Sequence, residues 1–329
     1  MISIQEGTHL ASYTSLKIGG PARFFTEAGT NSAVEEAFHW AKEHAVPVAV
    51  LGAGSNVLIA DTGFAGLLIH VNMRHLSHEG ELVSADAGVL MAQVAAYALR
   101  HNLTGFEWAA GIPGTIGGSV YGNAGCFGGE MKDVVESVSV FDSTNSTNPA
   151  SPAGRYQLPT TDCAFAYRES IFKKRKDWII LGATLKLKRI SDEEKKQKQA
   201  DLRRIMRERA AEQAIGERTM GSTFKGIPLT KEVIALLRSY DGRFSKAAQA
   251  CWVFESRRGM ISAGFLIEQA GLKRKKIGGV SVSEKHANFL VNDGAATAEH
   301  AVMLIAFIKE YVHRKFGIML EEEIQYIGM

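Results

Sequence analysis

The stretch from Gly105 to Gly129, Gly-Phe-Glu-Trp-Ala-Ala-Gly-Ile-Pro-Gly-Thr-Ile-Gly-Gly-Ser-Val-Tyr-Gly-Asn-Ala-Gly-Cys-Phe-Gly-Gly, holds nine of the chain's 33 glycines. Glycine weakens the interior of a helix or strand. It is favoured where the backbone takes positive φ or where another group must approach the main chain closely. Such a stretch builds turns or a backbone cradle rather than one regular element. A loop of this kind can aim successive N–H groups at an anion, which makes a diphosphate the natural guest. A plain set of tight turns in a compact domain is the alternative.

A second loop favours the ligand. Val48 to Leu58, Val-Ala-Val-Leu-Gly-Ala-Gly-Ser-Asn-Val-Leu, is an apolar run of strand length ending in Gly52 and Gly54. Ser55 and Asn56 follow, with short polar side chains that bond phosphate oxygens or their own turn. Neither loop has the spacing G-x-G-x-x-G, and G-x-x-x-x-G-K-[ST] is absent, so neither a Rossmann fold nor a P-loop is supported.

Taken together, Gly-Ala-Gly-Ser-Asn-Val-Leu and Ala-Gly-Ile-Pro-Gly-Thr-Ile-Gly-Gly-Ser-Val-Tyr-Gly-Asn-Ala-Gly resemble the FAD-binding domain of the vanillyl-alcohol-oxidase type. More closely, the pair resembles the bacterial UDP-N-acetylenolpyruvoylglucosamine reductase family of peptidoglycan synthesis. The resemblance implies an α+β fold: a two-part FAD-binding domain of the vanillyl-alcohol-oxidase (PCMH) type over 1–190, split near 70. A smaller α+β substrate-binding domain over 191–316 would follow, then a segment, 317–329, returning to the active site. It also implies that FAD is held by Gly52, Gly54, Ser55, Asn56, Leu58, Pro113, Gly114, Gly117, Gly118, Asn123 and Gly125.

Local patterns give the elements. Ser32 to Glu43 has the i, i+4 spacing of an amphipathic helix, with Asn31 or Ser32 as cap. Phe64–Val71 and Leu82–Ala87 read as strands and Met91–His101 as a helix, an alternation that favours α+β over a pure sandwich. Val134–Phe141 alternates with period two, Ser143–Pro159 reads as a surface excursion, and Trp178–Lys188 is a strand. Ser191 caps a helix running to Gln213, with acids in the first turn and bases later, as the helix dipole favours. Its Lys/Arg content is read as a solvated face, because acids intervene and no aromatic stacking partners accompany it. Ser262–Ala270 is a helix with Gly271 at C′. Val280–Val291 is strand, turn, strand, and Thr297–Phe316 is a helix stopped at Gly317.

In Ala166-Tyr167-Arg168-Glu169-Ser170-Ile171, a charged pair sits in an apolar, aromatic neighbourhood. Arg168 is either paired with Glu169 or presented to an anion. The family carries the same Tyr-Arg-x-Ser pattern, and the resemblance gives Arg168 the role of stabilising the substrate carboxylate, beside Tyr167 in the substrate site. Gly221-Ser222-Thr223-Phe224-Lys225 has no G-x-S-x-G elbow around it, which disfavours hydrolase chemistry. The family's Gly-Ser-x-Phe-Lys motif contains the serine that protonates the reduced substrate, so that role passes to Ser222, with Lys225 at the substrate. Glu321 to Gly328 resembles the family ending Leu-Glu-Pro-Glu-Val-Arg-Phe-Ile-Gly, which makes Glu323 the catalytic acid. Glu322 and Gln325 replace the family's proline and arginine. Read without the alignment, three adjacent acids are a solvated tail. Gly271-Leu272-Lys273 and Ser283-Glu284-Lys285-His286-Ala287-Asn288-Phe289 resemble segments that meet the nucleotide, with Lys273 and His286 as contacts; a surface lysine is the plainer alternative for Lys273. In one subclass of the family an insertion brings a tyrosine over the substrate diphosphate. Within the insertion 226–261 that position is Trp252.

Hydrophobic residues make up 46% of the chain and charged residues 22%, the profile of an ordinary globular chain, and a net charge of +3 does not argue for nucleic acid. Cys126, Cys163 and Cys251 are widely spaced and odd in number, so neither a disulfide framework nor a zinc site is expected, and no metal is assigned. The amino terminus lacks a signal-peptide pattern and no apolar run reaches membrane-spanning length, which points to a cytoplasmic protein without a membrane or obligate protein partner. The activity that the resemblance implies is NADPH-dependent, FAD-mediated reduction of UDP-N-acetylglucosamine enolpyruvate. An FAD oxidase of the same fold, with oxygen as acceptor, is the first alternative, and a non-enzymatic nucleotide- or RNA-binding module the second.

Overall fold

The structure, a computed structural model, describes residues 2–126, 128–144, 154–212, 216–239 and 259–329. The chain divides into two compact units. The first comprises Met1–Thr8, Pro21–Gly54 and Phe64–Ala210; the second comprises His9–Gly20, Ser55–Gly63 and Ala211–Met329.

The first unit is built on two sheets. One has the order Gln5–His9, Pro21–Ala28, Phe64–Val71, Val48–Leu51, and its last two pairings are parallel. Parallel neighbours need a crossover, and the helix Asn31–Glu43 supplies it. Its cap is Thr30, whose hydroxyl accepts from Ala33 N at 3.1 Å, rather than Asn31 or Ser32. Val34, Ala37 and Ala41 are buried in the same core as Leu67 and Ile69. The second sheet is antiparallel, in the order Arg155–Pro159, Val135–Asp142, Trp178–Lys186, Leu82–Asp86, Leu76–Glu79. Arg155–Pro159 thus corrects the reading of 143–159 as a surface excursion: its proline falls at the last residue of an edge strand, where a missing N–H costs no ladder bond.

The helix Asp192–Glu212 begins with a reciprocal cap: Ser191 Oγ accepts from Glu194 N at 3.3 Å and Glu194 Oε2 accepts from Ser191 N at 2.9 Å. Its basic face is not solvated throughout, since Arg209 is only 2% exposed.

The second unit carries a sheet in the order Thr219–Ser222, Phe289–Asn292, Val280–Val282, Lys276–Ile277. The helices Ala263–Gln269 and Ala298–Phe316 share its core through Leu266, Ile267, Leu304, Ile305 and Ile308. Thr297 caps the long helix and Gly317, at φ +71°, ends it in the left-handed conformation that glycine adopts without strain. The C-terminal strand Gln325–Ile327 runs parallel to Val57–Ile59. No helix is long and apolar enough to cross a membrane among the described residues.

Candidate active site

In the first unit, the Val48–Leu51 strand delivers Gly52 beside Thr115. A Cβ on Gly52 would fall 2.5 Å from Thr115 Oγ1, so the two glycine-rich loops need a glycine where they meet. Gly54 follows at φ +60°. The N–H groups of Ala53 to Asn56 lie outside the sheet ladders and donate to no backbone carbonyl among the described residues, which leaves a run of amides suited to phosphate oxygens.

The Gly105–Gly129 stretch is used less uniformly than its composition implies. Gly105, Gly111 and Gly128 take positive φ; Gly114, Gly117, Gly118 and Gly125 do not. Gly114 O accepts from Met91 N at 3.1 Å, at the start of the helix Met91–Arg100. Gly117 N donates to Ala87 O at 2.9 Å, and a Cβ on Gly117 would lie 2.8 Å from Ala87 Cβ. Gly117 therefore serves close packing against Ala87. Gly118, one residue on in the short helix Ile116–Tyr121, is exposed, and a Cβ there would touch only Thr115 Oγ1, at 3.7 Å. Gly118 and Pro113 are both exposed, each with a face open to a ligand. These loops fit a flavin dinucleotide: uncommitted amides, a left-handed glycine and a glycine with a clear face.

Asn123, assigned to the cofactor by resemblance, is wholly buried. Its Nδ2 donates to Glu130 Oε2 at 2.9 Å and Ala166 O at 2.8 Å, and its Oδ1 accepts from Lys132 N at 3.0 Å. This side chain ties the glycine hairpin to the Arg168 turn instead of reaching a ligand. In that turn Ala166 and Glu169 exchange backbone hydrogen bonds at 3.0 Å each, and Arg168 is held at φ +55°. Non-glycine residues rarely adopt this conformation outside functional or tightly determined sites. Arg168 Nη2 donates to Gly125 O at 2.9 Å, and its guanidinium lies 5.3 Å from the Tyr167 ring centre. Glu169 lies 3.6 Å from Lys173 Nζ, and Ser170 Oγ donates to Tyr121 O at 2.7 Å.

In the second unit, Ser222 ends its strand at a register shift, after Gly221 at φ +75°. Bulges of this kind re-aim a side chain. The next residues pair with the C-terminal segment: Glu323 N donates to Thr223 O and Lys225 N to Glu321 O, both at 2.8 Å. Asn56 joins the same segment, donating from Nδ2 to Glu323 O at 3.3 Å and accepting from Gln325 N at 3.0 Å. Ser222, Glu323 and Asn56 are thereby brought onto neighbouring segments.

The acid triplet is not a solvated tail. Leu320 and Ile324, which flank it, are buried, each contributing about 1.5–3 kcal/mol. Glu321 meets Lys225 Nζ at 2.6 Å, and Glu322 meets Lys309 Nζ and Tyr326 Oη at 2.7 Å each. Burial alone would raise the Glu322 carboxyl, but these two hydrogen bonds and the Lys309 charge outweigh it and hold the group below its ordinary value. The Lys309–Glu322–Tyr326 cluster stands where the family has a proline, and Gln325, in the arginine's place, donates to Glu323 O at 3.1 Å.

Leu58 is 1% exposed, its side chain in the second unit's core, so only its backbone remains for a cofactor. Lys273 pairs with Glu268 at 2.7 Å near His286. Burial first, and the Lys273 charge second, push the His286 pKa down. Its Nδ1 accepts from Asn288 N at 3.2 Å, which fixes the tautomer and leaves Nε2–H as a donor. Trp252 lies outside the described residues, as does Cys251.

Sequence reasoning gave two further residues no role of their own. Arg209 packs against Gly111, where an added Cβ would be 3.1 Å from Arg209 Cδ. Asn288 holds both backbone polar groups of Phe224. The buried arginine broke a charged helix pattern that gave no sign of it; the asparagine stood in the segment read as meeting the nucleotide, with no sign that it would hold Phe224.

Residues 22–147 match the FAD binding domain family, and residues 213–327 match the family described as UDP-N-acetylenolpyruvoylglucosamine reductase, C-terminal domain. A UDP-N-acetylenolpyruvoylglucosamine reductase of Caldanaerobacter subterraneus is 36% identical over 317 residues, 96% of this chain and 91% of that protein. One of Solibacter usitatus is 34% identical over 330 residues, 99% of this chain and 97% of that protein. Among solved structures, the reductase of Thermus caldophilus covers 99% of this chain and 100% of its own, with a TM-score of 0.73 at 27% identity. The fold is accordingly a two-part FAD-binding domain of the vanillyl-alcohol-oxidase type followed by a smaller α+β domain. The chain belongs to the UDP-N-acetylenolpyruvoylglucosamine reductase family, a family of FAD-containing oxidoreductases.

Proposed function

We propose that this enzyme takes a hydride from NADPH and delivers it to the enolpyruvyl group of UDP-N-acetylglucosamine enolpyruvate, forming UDP-N-acetylmuramate for peptidoglycan synthesis. The observation that carries this reading is the pairing of the Ser222 and Glu323 segments through Thr223 and Lys225, with Asn56 hydrogen-bonded to the Glu323 segment. A donor hydroxyl and a carboxyl fixed by backbone hydrogen bonds are preorganised for proton transfer.

Bound FAD would supply the hydride transfer. The amides of Ala53 to Asn56 and the open face of Gly118 would hold it. Hydride addition to the substrate's methylene carbon places negative charge on the adjacent carbon and its carboxylate. Arg168 sets a fixed positive charge against that carboxylate, Glu323 acts as the catalytic acid, and Ser222 delivers the proton to carbon. Tyr167, Lys225, Lys273 and His286 would bind the UDP-sugar, the last through neutral Nε2–H.

Anaerobic reduction with NADPH followed by two parallel mixes tests the proposal against the oxidase alternative. The flavin band should return rapidly with UDP-N-acetylglucosamine enolpyruvate and slowly with air. Rapid return with air and none with the UDP-sugar would establish the oxidase instead.

A further inference from the structure

The strand carrying Ser222 shifts register between Thr219 and Ser222 and ends where Ser222 pairs with Phe289, so the sheet ladder does not hold the residues that follow the hydroxyl. Asn288 takes over there. Its Oδ1 accepts from Phe224 N at 3.0 Å, its Nδ2 donates to Phe224 O at 2.8 Å, and its own carbonyl accepts from Thr223 N at 2.8 Å. The side-chain amide thus stands in for a strand neighbour, pairing with both polar groups of one residue. Asn288 is 6% exposed, Thr223 and Phe224 no more than 1%. On its other edge the same segment pairs with Glu321 and Glu323. Three contacts from Asn288 and two from the C-terminal segment therefore fix the three residues that follow Ser222.

We propose that Asn288 is a positioning residue for proton delivery: it sets the backbone that aims Ser222 and keeps it in register with Glu323. This rests on Ser222 being the proton donor. Asn288 acts through Ser222 and touches no reacting atom. Losing one positioned proton donor slows its step about 10²–10⁴-fold, and misplacement by a fraction of a bond length forfeits part of that.

The test is a double-mutant comparison of flavin reoxidation in the holoenzyme. Asn288→Ala should bind FAD and be reduced by NADPH as the native enzyme is. Its reoxidation by UDP-N-acetylglucosamine enolpyruvate should slow about thirtyfold or more, with an enlarged solvent deuterium isotope effect. Ser222→Ala/Asn288→Ala should be no slower than Ser222→Ala alone. Asn288→Asp, which keeps the acceptor for Phe224 N and loses the donor to Phe224 O, provides the same reading if the alanine variant does not fold. Reoxidation within threefold of native in the variant that folds, or a double variant slowed by the product of the single effects, overturns the role of Asn288 while leaving that of Ser222 intact. Near-native reoxidation by Ser222→Ala itself would overturn the donor assignment, and the positioning role with it.

Discussion

Gly117 and Gly118 are adjacent and chemically identical, yet they face different neighbours. A methyl on Gly117 runs into Ala87 at 2.8 Å, so Gly117→Ala should lose about 1–3 kcal/mol of stability, measured by urea unfolding. A side chain on Gly118 meets almost nothing of the protein, so Gly118→Val should fold with less than about 1 kcal/mol lost and purify without flavin. A stable, fully yellow Gly118→Val protein would show that this face does not meet the cofactor. Arg168 gives a second contrast. Arg168→Met should slow reduction of the enolpyruvyl substrate about 10²-fold or more and leave FAD reduction by NADPH near native, since its proposed partner is the substrate carboxylate. Equal slowing of both half-reactions would make its hydrogen bond to Gly125 O a structural one.

At the scale of elements, the C-terminal segment depends on Glu322. Because its folded-state pKa is depressed, the group stabilises the fold above the ordinary carboxylate range, and that contribution disappears as pH falls through its folded value. Glu322→Gln should therefore be less stable than the native protein at pH 7 and approach it in acid; a gap unchanged at pH 3 would contradict the account. This cluster was not legible in the sequence, where Glu321–Glu323 read as a run of like charges, because Lys309 reaches it from a helix that only the fold brings near. Elements with strong local patterns were legible: Phe64–Val71 has the residues expected of it, and Thr297 and Gly317 bound the last long helix as capping chemistry requires. The Arg155–Pro159 strand was hidden because its flanks carry turn residues and its partner, Val135–Asp142, is what makes it a strand. The two loops announced themselves through glycine. The structural roles of Asn123 and Asn288 did not, since nothing local separates a turn-forming or ligand-binding asparagine from one whose amide ties backbone segments together.

For the whole molecule, the account divides the work in time: NADPH reduces the flavin, then the UDP-sugar reoxidises it and is protonated. Only the second half should need Ser222. Stopped-flow mixing of Ser222→Ala with NADPH, then with UDP-N-acetylglucosamine enolpyruvate, tests that division most directly. The account predicts flavin bleaching at the native rate, then recovery slowed at least about a hundredfold, equivalent to roughly 3 kcal/mol of barrier, with substrate affinity little changed. Recovery at the native rate would contradict it and move the proton donor to Glu323 or a bound water.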